Sequence, residues 1–253
     1  MLPTYCEAEN IGSIINTIQN LKLKSTIIVI DDSSPDGTGK IVTKLQEKYS
    51  NIILLSRQSK SGLGTAITDG FRFILSLPNP PQHIIAMDAD YSHNPEDIPR
   101  LLQKAEKGYD LVIGSRYCKD GKVKGWTLAR LIISKVANRI TSKLVALPIN
   151  DFTSGFRCYS RKYVQQILPH LHSQTYEIQI ETLRQARIHN AKVSEIPITF
   201  TNRKKGKSKL TKNEIAGFLF YTLKTTLKKQ ETTVRTSSYA LKNEAFSTAK
   251  LAA

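Results

Sequence analysis

The chain has 253 residues, 40% of them hydrophobic and 23% charged, enough to bury a sizeable core in one domain with a tail. No apolar run approaches the roughly 18 residues that a membrane-spanning helix requires, and Met1-Leu2-Pro3-Thr4-Tyr5 lacks the basic and apolar regions of a secretion signal. A net charge of +16 calls for an anionic partner, while three scattered cysteines (Cys6, Cys118, Cys158) form no ligand or disulfide pattern and favour a reducing, cytosolic setting.

Ile11, Ile14, Ile15, Ile18 and Leu21 recur at helical spacing and predict a helix over 9–21. Thr26–Ile30 is a β-branched run with no polar break, the pattern of a strand covered on both faces. It stops at Asp31-Asp32-Ser33-Ser34-Pro35-Asp36-Gly37, a turn signal. A helix over 38–49, a strand over 51–55, a helix over 64–75 and a strand over 83–87 follow. This alternation predicts a mostly parallel, doubly wound α/β sheet flanked by helices, with ligands beyond the carboxyl ends of the strands.

The second half is less regular. It reads as a strand over 110–114, a long amphipathic helix over 128–147, a polar loop over 151–157, a helix over 177–189 and a strand over 192–200. From Arg203 to Lys229 there are nine Lys or Arg and one acid, Glu214, around the apolar run Ile215–Tyr221. This pattern fits either a membrane-surface helix or a tail helix that packs its stripe on the domain. The basic residues are not interleaved with a nucleic-acid-binding motif, so no nucleic-acid partner is expected. The main domain is taken as 1–227, with 228–253 a flexible tail.

The chemistry concentrates at Asp88-Ala89-Asp90, which closes the apolar run Ile84–Met87. If the extended geometry continues, both carboxylates point to one side. Like charges there are costly unless a cation compensates them, and a hard divalent ion fits oxygen ligands and a diphosphate. The alternative is ordinary turn or cap chemistry. Arg130 and Ser134 lie four apart, share a helix face, and could hold one phosphate.

Several segments occur in one order: Leu2–Glu7, Ile30–Thr38, Lys60-Ser61-Gly62-Leu63-Gly64, Met87–His93, Gly114–Tyr117, Ile132–Lys135, Thr153–Arg157 and Gly206–Leu210. Together they resemble the inverting glycosyltransferases of family 2 with the GT-A fold, and within it the dolichol-phosphate (polyprenol monophosphate) mannosyltransferases. The resemblance runs from residue 2 to about 227. It implies transfer of mannose from GDP-mannose to a polyprenyl or dolichyl monophosphate at the cytosolic face of a membrane, with Mg²⁺ or Mn²⁺ as cofactor. Small membrane-anchoring subunits and an anionic membrane surface are implied partners. A donor such as UDP-glucose, or a non-catalytic glycosyltransferase-like subunit, are the alternatives.

Residue by residue, the resemblance implies that Pro3, Tyr5, Glu7 and Asp32 form the nucleotide pocket. Asp32 alternatively serves the turn. Asp88, Asp90 and, more weakly, Ser92 match the metal motif, although the family often has Gln where Ser92 stands. Asp90, Arg116 and Arg203 would be catalytic, Arg130 and Ser134 would hold the acceptor phosphate, and Arg203 and Lys209 flank a donor-closing loop. Arg116 could equally be a surface ion pair, and the loop a solvated charge run. The family's first strand reads as missing or truncated, because the chain starts at Met1-Leu2. The C-terminal transmembrane hairpins of some members are not encoded here.

Overall fold

A computed structural model describes residues 1–203. Lys209, the basic loop beyond Arg203, the terminal amphipathic helix and the tail lie outside the described residues. In chain order the first half comprises β1 (Leu2–Thr4), α1 (Ala8–Asn20), β2 (Ile27–Asp31), α2 (Thr38–Lys48), β3 (Ile52–Ser56), α3 (Leu63–Ser76), β4 (His83–Ala86) and α4 (Ile98–Ala105). The second comprises β5 (Leu111–Ser115), β6 (Lys122–Lys124), α5 (Leu128–Val145), β7 (Arg157–Ser160), α6 (Arg161–Ile167), α7 (Ile178–Ile188), β8 (Val193–Pro197) and β9 (Thr199–Thr201).

The sheet divides the protein into three layers. β2 is buried at all of its positions. Its Ile27 and Val29 pack with α1 and α2, and its Ile28 and Ile30 pack with α3 on the other face. That is the two-sided burial its unbroken apolar run required. β1, β2 and β3 pair in parallel, and β4, β7, β5 and β8 form a second group in that spatial order. β7 runs antiparallel to both its neighbours, and β8 parallel to β5.

The first strand, read as missing or truncated, is present, which corrects the first of those readings, and it is three residues long. Met1 is its junction with the second group. The Met1 nitrogen donates to the Ile85 carbonyl at 2.8 Å, and the Met1 carbonyl accepts from Met87 N–H at 3.2 Å. Strands therefore lie side by side as β3-β2-β1-β4-β7-β5-β8. Gly70 makes room for this seam: a Cβ there would sit 2.4 Å from the Met1 sulfur.

Three further departures have local causes. The 192–200 strand is split, because Pro197 has no N–H to donate and the chain leaves β5 to pair with β6 as β9. The 151–157 loop runs into β7, whose Arg157 reads as polar yet is wholly buried. Its guanidinium donates to the carbonyls of Ser154, Gln179 and Phe152 and to the Thr182 hydroxyl. α6 then starts at Ser160, whose hydroxyl accepts from Tyr163 N–H at 3.1 Å, a cap the sequence reading passed over.

The Lys60–Gly64 motif is explained by close packing. Gly64 N–H donates to the Gln174 carbonyl at 2.9 Å, and a Cβ on Gly64 would lie 2.3 Å from the Ser173 carbonyl oxygen. Both neighbours are backbone, so neither side chain rotation nor a flexible tip can relieve the clash. Gly64→Ala is expected to cost about 1–3 kcal/mol and to lower Tm by several degrees in a thermal unfolding scan; an unchanged Tm would show that the 173–174 segment yields freely.

Candidate functional site

The site lies beyond the carboxyl ends of the strands, as a doubly wound sheet requires. At the β1–β2 end, Glu7 accepts from the Asn10 side-chain amide at 2.9 Å, and Lys60 lies over the Tyr5 ring at 4.5 Å. Pro3 pairs with Ile30 in the sheet. Asp32 is engaged by the protein: Arg57 donates to one oxygen at 2.7 Å, and the Ser61 and Gly62 N–H groups donate to the other. Arg57, which the sequence reading missed, therefore ties the β2 turn to the start of α3. Asp31 serves the turn itself, accepting from Thr4 and Ser34.

The second pair of acids lies past the end of β4, where the extended geometry stops at Ala86 and the chain bends. Tyr91 has φ +59° and turns the backbone back, and Ser92 N–H donates to Asp90 at 3.0 Å. Asp90 is buried, and Arg203 donates toward it at 3.0 Å. Although 41% of the Asp88 side chain reaches solvent, protein crowded around its carboxyl pushes its pKa up. The Asp90 charge adds to that shift, while His93, Arg203 and Arg116 oppose it.

His93, also missed from sequence, holds this bend from behind. Its Nδ1 accepts from Asp88 N–H at 3.2 Å, and its ring stacks on Phe156 and meets Phe200 edge-on. Burial holds its pKa down, and the two aspartates act against that shift.

These residues fit a divalent ion. The Ser92 hydroxyl is buried and has no hydrogen-bond partner. A Cβ on Gly155 would come 3.3 Å from an Asp88 oxygen, so the glycine leaves open space beside that carboxylate. Among the described residues no cluster of three or more His, Cys, Asp or Glu could enclose a metal. Two carboxylates and one hydroxyl leave coordination positions for water and phosphate oxygens, as Mg²⁺ and Mn²⁺ sites commonly do.

Arg116 is no surface residue. It is buried, and its Nε and a terminal nitrogen each donate to Asp151 at 2.7 Å, with Thr153 at 2.5 Å from the same terminal nitrogen. Burial opposes both charges, but the pair's attraction and hydrogen bonds outweigh it, raising the Arg116 pKa and lowering that of Asp151. The Tyr117, Trp126 and Phe200 rings surround the guanidinium at 5.2–5.6 Å. Asp151 is the largest omission of the sequence reading, which placed it in a polar loop. Its signal was an acid within a few residues of the Thr153–Arg157 motif.

Arg130 and Ser134 both stand on α5, which Thr127 caps by accepting from Arg130 N–H at 3.3 Å. The Tyr117 hydroxyl donates to Ser134 at 2.7 Å. Arg130 lies over the Trp126 ring at 4.1 Å, and its pKa is lowered by burial and then by the charges of Arg203 and Arg116. Arg130 thus feels the charges of Arg203 and Arg116, and the same two charges act on Asp88.

A family model described as glycosyl transferase family 2 matches residues 1–168. The polyprenol monophosphomannose synthase of Mycolicibacterium smegmatis is 38% identical over 222 residues, 87% of this chain and 83% of that protein. The undecaprenyl-phosphate mannosyltransferase of Micrococcus luteus is 36% identical over 213 residues, covering 83% and 86%. Among solved structures, glucosyl-3-phosphoglycerate synthase from Mycobacterium tuberculosis with Mn²⁺, UDP and glucosyl-3-phosphoglycerate aligns at TM-score 0.65. It is 17% identical and covers 91% of this chain and 80% of that one, so it bears on the fold alone. The expected GT-A fold is the fold observed.

Removing one partner of the Arg116–Asp151 pair strands the other charge in the interior. Asp151→Ala is expected to destabilise the protein by about 3–5 kcal/mol. The folded-state pKa of Asp151 is depressed, so the pair stabilises above the unfolded carboxyl pKa and that contribution fades as pH falls through the folded one. Urea unfolding of wild type and variant should accordingly converge in strong acid; a gap that stays constant down the acid range would contradict the pairing.

Proposed function

The chain belongs to glycosyl transferase family 2, and from that footing we propose that it transfers mannose from GDP-mannose to a polyprenyl (dolichyl-type) monophosphate, inverting the anomeric carbon, at the cytosolic face of a membrane. Two relatives with names of polyprenyl-phosphate mannose transfer support the acceptor and the sugar. One observation carries the chemistry: Arg203 lies 3.0 Å from Asp90, and the charges of Arg203 and Arg116 reach both Asp88 and Arg130.

A phosphate oxygen of the acceptor attacks the anomeric carbon, and the bond from that carbon to the diphosphate breaks. The electron pair leaves with GDP. A phosphate monoester with a second pKa near about 6 is already an anionic nucleophile at neutral pH, so no general base is needed. The difficulty lies in the charge that develops on the leaving diphosphate. Arg203 is placed to neutralise it, and Arg116, locked by Asp151 and Thr153, holds a fixed positive field beside it. Arg130 and Ser134 orient the acceptor phosphate from one face of α5. Asp88, Asp90 and Ser92 would hold Mg²⁺ or Mn²⁺, which supplies further neutralisation of the diphosphate when bound.

The donor assignment rests on the resemblance at Pro3, Tyr5, Glu7 and Asp32, in or just after β1 and β2. Because Asp32 already accepts from Arg57, Ser61 and Gly62, its part in base recognition would include fixing the 57–62 segment.

Product analysis tests this reading. Purified protein, Mg²⁺ or Mn²⁺ and polyprenyl phosphate are mixed with a panel of labelled nucleotide sugars. The expected product is β-linked mannosyl phospho-polyprenol from GDP-mannose, and a preference for UDP-glucose would overturn the donor assignment. Asp90→Ala should lower transfer by about a hundredfold or more; near-full activity in that variant would sink the catalytic reading.

A further inference from the structure

Gln179, in the first turn of α7, carries a polar group that the described fold does not use. The residue is 4% exposed, and its side-chain oxygen is buried with no hydrogen-bond partner among the described residues. Its backbone, by contrast, is well engaged: the Gln179 carbonyl accepts from the Arg157 guanidinium at 2.8 Å and from the Thr182 hydroxyl at 3.2 Å. A buried acceptor left unmet is destabilising, and native proteins keep few of them.

The position of the amide narrows what it could meet. Gly155 stands between it and the acidic bend. A Cβ on that glycine would lie 3.5 Å from Gln179 Nε2, and 3.3 Å and 3.8 Å from the two Asp88 carboxylate oxygens. The amide and the carboxylate therefore border one gap, floored by bare backbone and open to solvent along the part-exposed Asp88 side chain. The walls of this gap are fixed to each other. Arg157, wholly buried, donates to the Phe152 and Ser154 carbonyls as well as to that of Gln179, at 2.7–3.0 Å. One guanidinium thus joins the segment that carries Gly155 to the helix that carries Gln179. A polar side chain on a rigid element, supported from behind and left without a protein partner, has the form of a pre-organised ligand contact.

The chemistry of the gap selects among parts of a nucleotide-sugar donor. Phosphate oxygens and carboxylates accept hydrogen bonds, so neither can satisfy the Gln179 oxygen. A sugar hydroxyl can, because it both donates and accepts, as an amide side chain does. With the diphosphate beside Asp88, the hexose is the next part of the donor, and its C2 hydroxyl stands on the carbon adjoining the anomeric centre. We propose that Gln179 is a specificity-determining residue that receives the C2 hydroxyl of the transferred hexose, with Oε1 accepting its hydrogen. Mannose and glucose differ at that carbon alone, so the contact would bear directly on which sugar is transferred. This role deepens the mannosyl-transfer reading and rests on it for the presence of a hexose.

Calorimetric titration with Mn²⁺ present provides the test, with GDP, GDP-mannose and the 2-deoxy analogue of GDP-mannose as ligands. Wild type should bind GDP-mannose about tenfold more tightly than the analogue, the worth of one hydrogen bond whose loss strands a buried group. In Gln179→Leu and in the unbranched Gln179→Met that gap should close, while GDP alone binds all three proteins equally. Because both substitutions remove an unmet buried acceptor, the Tm of each ligand-free variant should match or exceed that of wild type. A purely structural glutamine would instead lower Tm in both variants, and that result would overturn the proposal. So would a gap absent from wild type or persisting in the variants. Loss of GDP binding in the variants would also overturn it, since the amide would then serve the diphosphate or its cation. A wild type that binds UDP-glucose in place of GDP-mannose would refute the donor assignment alone, and the same comparison made with UDP-glucose and its 2-deoxy analogue would still judge Gln179. Binding of no nucleotide or nucleotide sugar would refute the transferase reading and the role of Gln179 with it.

Discussion

The site is organised around the buried pair of Arg116 and Asp151. Neither charge is tolerable alone in the interior, and the bidentate geometry at 2.7 Å leaves little freedom of rotation. The pair fixes the end of β5 to the 151–154 segment, and Asp151 also caps that segment by accepting from the Thr153 and Ser154 N–H groups. Glu195 on β8 anchors it from outside by accepting from Asn150 and Asp151. From this fixed point the aromatic rings extend the order. Phe200 meets Arg116, Trp126 and His93, and so connects the acidic bend to the approach of α5.

The balance of charge across the cleft follows from this arrangement. Arg116 is paired with Asp151 and Arg203 with Asp90, whereas the described contacts of Arg130 are an amide oxygen and an indole ring. A diphosphate entering beside Asp88 and Asp90 would meet two carboxylates as well as cations. That repulsion is what a divalent ion between the carboxylates and the phosphates would remove; the Asp88 pKa is raised first by burial, with the Asp90 charge adding to it. A phosphate arriving at Arg130 and Ser134 meets no such conflict. The two ends of the cleft therefore suit two kinds of anion, one needing a cation with it and one not.

How much of this was legible in the sequence depended on whether a residue's environment was local. β2, α1 and α3 were readable because their apolar periodicity is set by the layer they occupy, and the structure shifts their ends by only a residue or so. β7 and α6 were not. Arg157 disguises a buried strand because its charge is met by carbonyls from distant segments, and no local pattern reports that. Pairings across the chain were equally hidden: Arg57 with Asp32 spans 25 residues, and Arg116 with Asp151 spans 35. The resemblance drew attention to Arg116, but only the fold supplied the acid that changes it from a surface charge into a rigid one. β1, read as missing or truncated, stays in the sheet for a related reason. Three residues suffice where Met1 is bonded on its far side to β4, a contact 84 residues away.

α5 shows where periodicity misleads. The rule that an amphipathic helix turns its apolar stripe inward assumes that water lies outside. In α5 the helix was expected from the sequence with no facing assigned, and its apolar row lies outside because the inward side is held by hydrogen bonds instead. Asn138 alone contributes three, to Ser134, Thr153 and Phe152 N–H. Each is made between groups that would be costly to bury unpaired, so together they can fix the helix without an apolar seam. A helix anchored by polar contacts is free to spend its apolar residues on the outside.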